Sequence, residues 1–177
     1  MDKETQKLLE KYPFIQAYRW DDTPIDGHTV LGGMPDGWRK AFAIPMLEDF
    51  AKAIDQDGLD PKELRVIDVK EKYGELRWYW CAKKESPNLD RITTLYECVA
   101  SAFCANCGRY PVMMTTGYIL PLCEECWKEH EVASICDDGK TFEQEFPEVT
   151  CTRTENGHDV TETLPLKELF ERIIHHE

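Results

Sequence analysis

The sequence predicts an α+β fold, a β-hairpin packed with two or three helices, and three observations carry that expectation. Residues 64–81 alternate apolar and polar side chains on both sides of Tyr73-Gly74, the period-two pattern of paired strands. Residues 38–54 instead place Trp38, Phe42, Met46, Phe50 and Ile54 four apart, which lines one face of a helix with core side chains. Two C-x-x-C pairs, Cys104-Ala-Asn-Cys107 and Cys123-Glu-Glu-Cys126, then stand fifteen residues apart. That spacing closes a four-sulfur shell around one metal ion and adds an integral zinc-ribbon or treble-clef-like unit to the fold.

From the N-terminus, residues 3–11 read as a short helix, followed by an aromatic stretch, Tyr12-Pro13-Phe14-Ile15 and Tyr18-Arg19-Trp20. Residues 21–37, rich in Asp, Gly and Pro, predict an irregular loop. The helix from Trp38 to about Ile54 contains Pro45, which predicts a kink or a second helical segment, and Asp55-Gln56-Asp57-Gly58 ends it. In the hairpin, a two-residue Tyr73-Gly74 loop sets Glu71 opposite Leu76, Val69 opposite Trp78 and Ile67 opposite Trp80 on the core face. The other face pairs Lys70 with Arg77, Asp68 with Tyr79 and Lys72 with Glu75, and Asp68 relieves the like charges diagonally. A third helix is expected from Pro87-Asn88 to about Phe103, with Ile92, Leu95, Tyr96, Val99 and Phe103 on one stripe, delivering the chain directly to Cys104. Residues 146–153 and 160–164 predict a second hairpin around Asn156-Gly157, and Leu166, Leu169, Phe170 and Ile173 mark a short amphipathic C-terminal helix.

Within the cysteine unit, Gly108 suits the positive φ that wraps a tight loop around a first thiolate pair. Cys126 runs straight into Trp127-Lys128-Glu129-His130 with no glycine, so the second pair is expected at the first turn of a helix, whose dipole and free amides favour thiolates. Between them, a short hairpin from Pro111 to Leu122 turns near Gly117. Redox disulfides are the competing reading, but their usual setting, a motif directly after a strand in a βαβ unit, is missing. Four sulfur ligands leave a tetrahedral ion no open position, which makes the expected site structural, with Cys104, Cys107, Cys123 and Cys126 as ligands. Cys81, Cys98, Cys136 and Cys151 lack ligand spacing and read as buried or half-buried small side chains. A second site from Cys136, Cys151, His130 and His158 is the alternative for the leftover groups, and His130, four after Cys126, is an alternative fourth ligand of the first.

At 177 residues the chain can bury a sizeable core. The expected organisation is a compact domain over 1–135, containing the zinc unit at 102–132, and an acidic hairpin-plus-helix appendage over 136–177. The first residues have no apolar leader pattern and no run approaches a membrane span, so the sequence predicts a cytosolic protein, in keeping with reduced thiols. The net charge is −13 and is uneven: residues 62–84 carry +3 while 137–177 carry −7. Such a balance disfavours non-specific nucleic-acid binding and suits a partner protein with a basic surface.

Three stretches together resemble a family of small uncharacterised proteins encoded by bacteria, prophages and phages. They are Met34-Pro35-Asp36-Gly37-Trp38-Arg39-Lys40-Ala41-Phe42, then Val69-Lys70-Glu71-Lys72-Tyr73-Gly74-Glu75-Leu76-Arg77-Trp78-Tyr79, then the cysteine pairs flanking Gly117-Tyr118-Ile119-Leu120-Pro121-Leu122. The resemblance covers roughly residues 34–130 and implies an α+β fold with an integral zinc site, without an activity. By analogy it implies a phage-type accessory protein that engages a host protein.

Three functions follow as expectations. The first is a protein-binding or regulatory module, in one version a mimic of nucleic-acid charge built on Asp137, Asp138, Glu143, Glu145 and Glu148. The second is nucleic-acid binding through Lys70, Lys72, Arg77 and Tyr79 of the hairpin. The third is a zinc-framed enzyme such as a nuclease; against it, the sequence has no H-E-x-x-H, G-x-S-x-G or phosphate loop, and no histidine between Cys107 and Cys123.

Overall fold

The computed structural model describes residues 3–110, 112–116, 118–129, 134–135, 144, 147–155 and 158–175. Mixed helices and small antiparallel sheets make an α+β fold. Helix α1 (Lys3–Lys11) leads through a 3-10 turn to strands β1 (Gln16–Tyr18) and β2 (Pro24–Thr29). A second 3-10 turn at Val30–Gly33 precedes the long helix α2 (Asp36–Gln56), the hairpin β3 (Arg65–Lys72) and β4 (Glu75–Cys81), and helix α3 (Pro87–Ala100). Then come β5 (Met113–Thr116), β6 (Pro121–Leu122), helix α4 (Glu124–Glu129) and β7 (Ser134–Ile135), with β5 central between β6 and β7. A second long hairpin, β8 (Glu148–Glu155) and β9 (His158–Pro165), feeds helix α5 (Leu166–His175).

The core is organised by α2. Its four-apart residues Trp38, Phe42, Met46, Phe50 and Ile54 are all buried. Phe50 stacks on Trp78 of β4 at 4.3 Å between ring centroids, and Phe42 meets Tyr96 of α3 at 5.9 Å and Phe103 at 5.8 Å. Such aromatic pairs add to the burial of their area and fix the angle at which hairpin and helices meet. Helix α2 is continuous through Pro45, so no second segment begins there. Proline removes one helical hydrogen bond, and its burial on the core face offsets that loss. The helix ends in a Schellman motif: Gly58 adopts φ +57°, its N–H reaches Asp55 O at 3.1 Å, and Leu59 N–H reaches Ile54 O at 3.0 Å.

Asp57, at that terminus, joins α2 to α3. Its carboxylate accepts from the Ser86 hydroxyl, from Asn88 Nδ2 at 2.5 Å and from the Asn88 amide at 3.1 Å, while Ser86 caps α3 by accepting from Leu89 N–H. Burial alone would raise the Asp57 carboxyl; the hydrogen bonds from Ser86 and Asn88, with the Lys84 charge, outweigh it and hold the group below its ordinary value.

The hairpin keeps the expected register from Lys72↔Glu75 through Asp68↔Tyr79, with Tyr73 and Gly74 both at positive φ as a type I′ turn requires. Beyond Asp68 the register shifts: Val66, not Ile67, opposes Trp80. The expectation that Ile67 faces the core is therefore overturned, because the bulge turns Ile67 out to 57% exposure and gives the core position to Val66 at 1%.

Three further expectations are corrected. Part of the predicted loop 21–37 is strand, since β2 pairs with β1 and the Gln16 amide donates to Ile25 O at 2.9 Å and His28 O at 3.2 Å. Helix α3 stops at Ala100, and separate turns cover the last three residues to Phe103. Cys81 and Cys98 are exposed rather than buried or half-buried, Cys81 at the end of β4 and Cys98 off the buried stripe of α3. At the C-terminal end, Leu166 of α5 belongs to the same buried cluster as α2, and Leu169 packs against it.

Candidate metal centre

The four paired cysteines come together. Their sulfurs lie within 4.8 Å of one another, and among the described residues they form the one cluster of three or more such groups able to hold a metal ion. Cys107 Sγ and Cys123 Sγ are 3.6 Å apart. Four sulfurs at about 2.3 Å from a tetrahedral ion would be separated by roughly 3.8 Å, whereas a disulfide needs about 2.05 Å. The donor set therefore fits one ion shared by all four thiolates, and none of the four is in a disulfide.

Local sequence builds each half of the shell. In the first, Gly108 stands at φ +79°, its N–H reaches Cys104 O at 2.8 Å, and Cys104 N–H reaches Arg109 O at 2.8 Å, closing a tight knuckle around Cys104 and Cys107. Ala105 N–H bonds Pro121 O at 2.8 Å and ties the knuckle to β6. In the second half, Cys123 precedes α4 and Cys126 is its third residue, with Trp127 N–H closing on Cys123 O at 2.9 Å. Three sulfurs are buried, and that of Cys107 is half-buried.

Side chains beside the shell tune the sulfurs. Asn106 Nδ2 donates to Cys126 Sγ and Arg109 Nε to Cys107 Sγ, both at 3.3 Å, and Arg109 also pairs with Glu125 at 2.5 Å. Burial would raise the Cys107 thiol, but hydrogen bonds from Arg109, Cys104 and Cys123 outweigh it and lower it to about 6. Burial pushes Cys104 up and Cys126 to about 12. A bound cation would hold all four as thiolates, since its charge is the largest in such a site.

The centre is fixed to the core through the start of α2. Gly37 N–H reaches Ala105 O at 2.9 Å, and Trp38 Nε1 donates to Phe103 O at 2.9 Å. A Cβ on Gly37 would overlap the Cys104 carbonyl oxygen and stand 2.6 Å from Gly108 N; a Cβ on Gly108 would stand 2.5 Å from Gly37 O. Only two facing glycines allow helix and knuckle so close. On the other side, Gly33 lies against the Val69 carbonyl, and the hairpin tip meets the unit, since a Cβ on Gly74 would reach Met114 Cε at 2.6 Å and Ile119 Cγ2 at 3.0 Å.

Of these supporting residues, Gly33 and the packing role of Gly37 escaped the reading of the sequence, although Gly37 beside Pro35-Asp36 was the available signal: a glycine in the first turn of a helix implies a close approach. Trp38 is buried in the core, as its place on the four-apart stripe predicts. His130 and Cys136 lie outside the described residues; Cys151 pairs with Glu162 and His158 with Glu155 along the β8–β9 ladder. Asp137, Asp138, Glu143 and Glu145 also lie outside the described residues, while Glu148 opens β8 and is exposed.

The basic hairpin face is locally neutralised. Lys70 pairs with Asp68 and Arg77 with Glu75, each along its own strand, and Lys70 also sits over the Tyr79 ring at 5.7 Å. Among the described residues no helix is long and apolar enough to cross a membrane. No protein-family model, curated protein or solved structure matches the chain.

Proposed function

We propose that the four cysteines hold one structural zinc ion that fixes the surface of a protein-binding or regulatory module. The convergence of four sulfurs within 4.8 Å is the observation that carries this reading. Zinc favours thiolate ligands, and a filled tetrahedral shell leaves no position for water or substrate. When bound, the ion supplies a cross-link between the knuckle and α4. The chain order of knuckle, antiparallel strand pair and ligand-bearing helix supports a treble-clef-like description.

The acidic balance of the chain supports a protein partner with a basic surface, and the resemblance to small phage and prophage proteins supports an accessory role on a host protein in the bacterial cytosol. Nucleic-acid binding through the hairpin is the weaker reading, because Lys70 and Arg77 already have carboxylate partners.

Elemental analysis of the purified chain tests the metal, with one zinc per chain expected. Affinity capture from a bacterial lysate, with and without nuclease, tests the partner. A chain purified without stoichiometric zinc would overturn the first half; capture that vanishes on nuclease treatment would overturn the second.

A further inference from the structure

Beside the cysteine shell lies a cleft of about 410 Å³, within the roughly 300–1,000 Å³ range of ligand pockets. Separate parts of the chain form its walls. Glu71 comes from β3, Asn106 from the first knuckle, Tyr118 and Leu120 from the segment before β6, and Cys126 and Glu129 from α4. The lining therefore combines two acidic residues, a tyrosine and one of the four clustered cysteines.

We propose that this cleft receives an arginine or lysine side chain from a partner protein, an inference that rests on the zinc-held protein-binding reading above. The charge in the cleft has one sign. Glu71 and Glu129 are acidic, and a zinc ion with four thiolates leaves two net negative charges on the shell to which Cys126 belongs. The neighbouring cations are engaged elsewhere: Arg109 with Glu125 and Cys107, and Lys128 with Glu124 at 2.5 Å. Lys72, next to Glu71, alternates to the opposite face of β3 and sits over the Tyr73 ring at 5.7 Å. Tyr118, 67% exposed, supplies an aromatic ring at the cleft for an incoming cation, while Leu120 and Leu122 supply apolar wall for its methylene stem.

The walls are held before any partner arrives. Glu71 Oε1 accepts from Gly74 N–H at 2.7 Å, which fixes the carboxylate at the hairpin turn and leaves its second oxygen available. Asn106 is held to Cys126 Sγ at 3.3 Å. Preorganised acceptors of this kind favour a guanidinium or ammonium without a reordering cost.

The test uses the full metal-loaded chain and a fluorescent nonapeptide of glycine and serine carrying two arginines, read by anisotropy at physiological salt. Its citrulline counterpart, neutral but equal in shape, is the control. The arginine peptide is expected to bind about tenfold more tightly than the citrulline one, and the double variant Glu71→Gln, Glu129→Gln to lose about tenfold. Glutamine at 71 keeps the oxygen that accepts from Gly74, so the turn survives. A second double variant, Glu85→Gln with Glu171→Gln, removes the same charge from exposed positions outside the cleft and is expected to bind within about twofold of the parent. Equal losses in the two double variants would reduce the attraction to bulk charge and overturn the proposal. So would failure of the arginine peptide to bind. Zinc is measured in every sample, so a zinc-loaded chain indifferent to the peptide sinks the cleft alone, and a zinc-free chain sinks the metal reading.

Discussion

Replacing Gly37 by alanine sets two effects of opposite sign against each other. Gly37 is in the first turn of α2, where the gain in helix propensity and the loss of unfolded-state freedom together favour alanine by up to about 1 kcal/mol. The new Cβ, however, would overlap the Cys104 carbonyl and stand 2.6 Å from Gly108 N and 2.7 Å from Ala105 O. All three atoms are backbone of the first cysteine knuckle, so no flexible side chain can move aside. Helix and knuckle must separate by about 1 Å, which costs about 1–3 kcal/mol in strained packing. That separation breaks the Gly37 N–H to Ala105 O bond, now 2.9 Å, and leaves both buried groups unpaired, for another 1–3 kcal/mol or so.

After the propensity gain is set against these costs, Gly37→Ala is destabilising by roughly 3 kcal/mol, about 6–12 °C in Tm for a chain of this size. Urea unfolding of the metal-loaded protein, followed by tryptophan fluorescence, measures it. Gly32→Ala is the internal control: nothing lies within 4 Å of its Cβ and its φ is not positive, so its change stays within about 0.5 kcal/mol. Metal affinity, by competition with a chelating dye, falls in Gly37→Ala and not in Gly32→Ala. A Gly37→Ala protein as stable as its parent would refute the reasoning, because the close approach of α2 to the knuckle would then carry no energy.

Cys126→Ser removes one of the four converging thiols, 5% exposed, and it is expected to abolish stoichiometric metal binding and raise hydrogen exchange across 102–129. Trp38→Phe keeps the ring volume in part but loses the bond to Phe103 O, costing about 1–3 kcal/mol, whereas Trp20→Ala, at a side chain 96% exposed, shifts stability by about 0.5 kcal/mol or less. Asp57→Ala unties α2 from α3 and costs about 1–3 kcal/mol at neutral pH. The sign of its pH dependence follows from the depressed folded value: the contribution is complete above the unfolded carboxyl value of about 3.9 and is lost as pH falls through the lower folded one. Parent and variant stabilities measured from pH 7 to pH 3 should therefore converge, and a gap that widens in acid would contradict the assignment.

The parts of the fold legible in the sequence are those where one local rule suffices. Four-apart aromatics locate α2 and its buried face, alternation around Tyr73-Gly74 sets the hairpin turn and five of its pairs, and ligand spacing names four cysteines that converge. The misreadings share a different cause. Ile67 and Val66 are adjacent and both apolar, so nothing local says which faces the core; the bulge that decides it lies within the β3–β4 ladder, between the Asp68↔Tyr79 and Val66↔Trp80 pairs. Strand β2 carries Pro, Asp and Gly, and it forms because β1 and the Gln16 amide satisfy its backbone.

The glycines show why the metal centre and the core cannot be separated energetically. Gly33, Gly37 and Gly74 each place backbone or side-chain atoms of a neighbouring element where a Cβ would stand, and they do so on Val69, the first knuckle and Met114 respectively. Helix α2 and the first knuckle thus meet backbone to backbone, with no compressible side chain between them, which makes their separation abrupt rather than gradual, while the hairpin tip meets the unit through the side chains of Met114 and Ile119. A ligand that binds only the closed shell stabilises by mass action everything those contacts join. Metal removal should therefore lower the unfolding midpoint reported by Trp78, far along the sequence from the cysteines but stacked on α2, as well as by probes inside the unit. Two separate transitions, with Trp78 unchanged on chelation, would mean that the backbone contacts at Gly37 transmit no free energy and that the cysteine unit folds as an independent module.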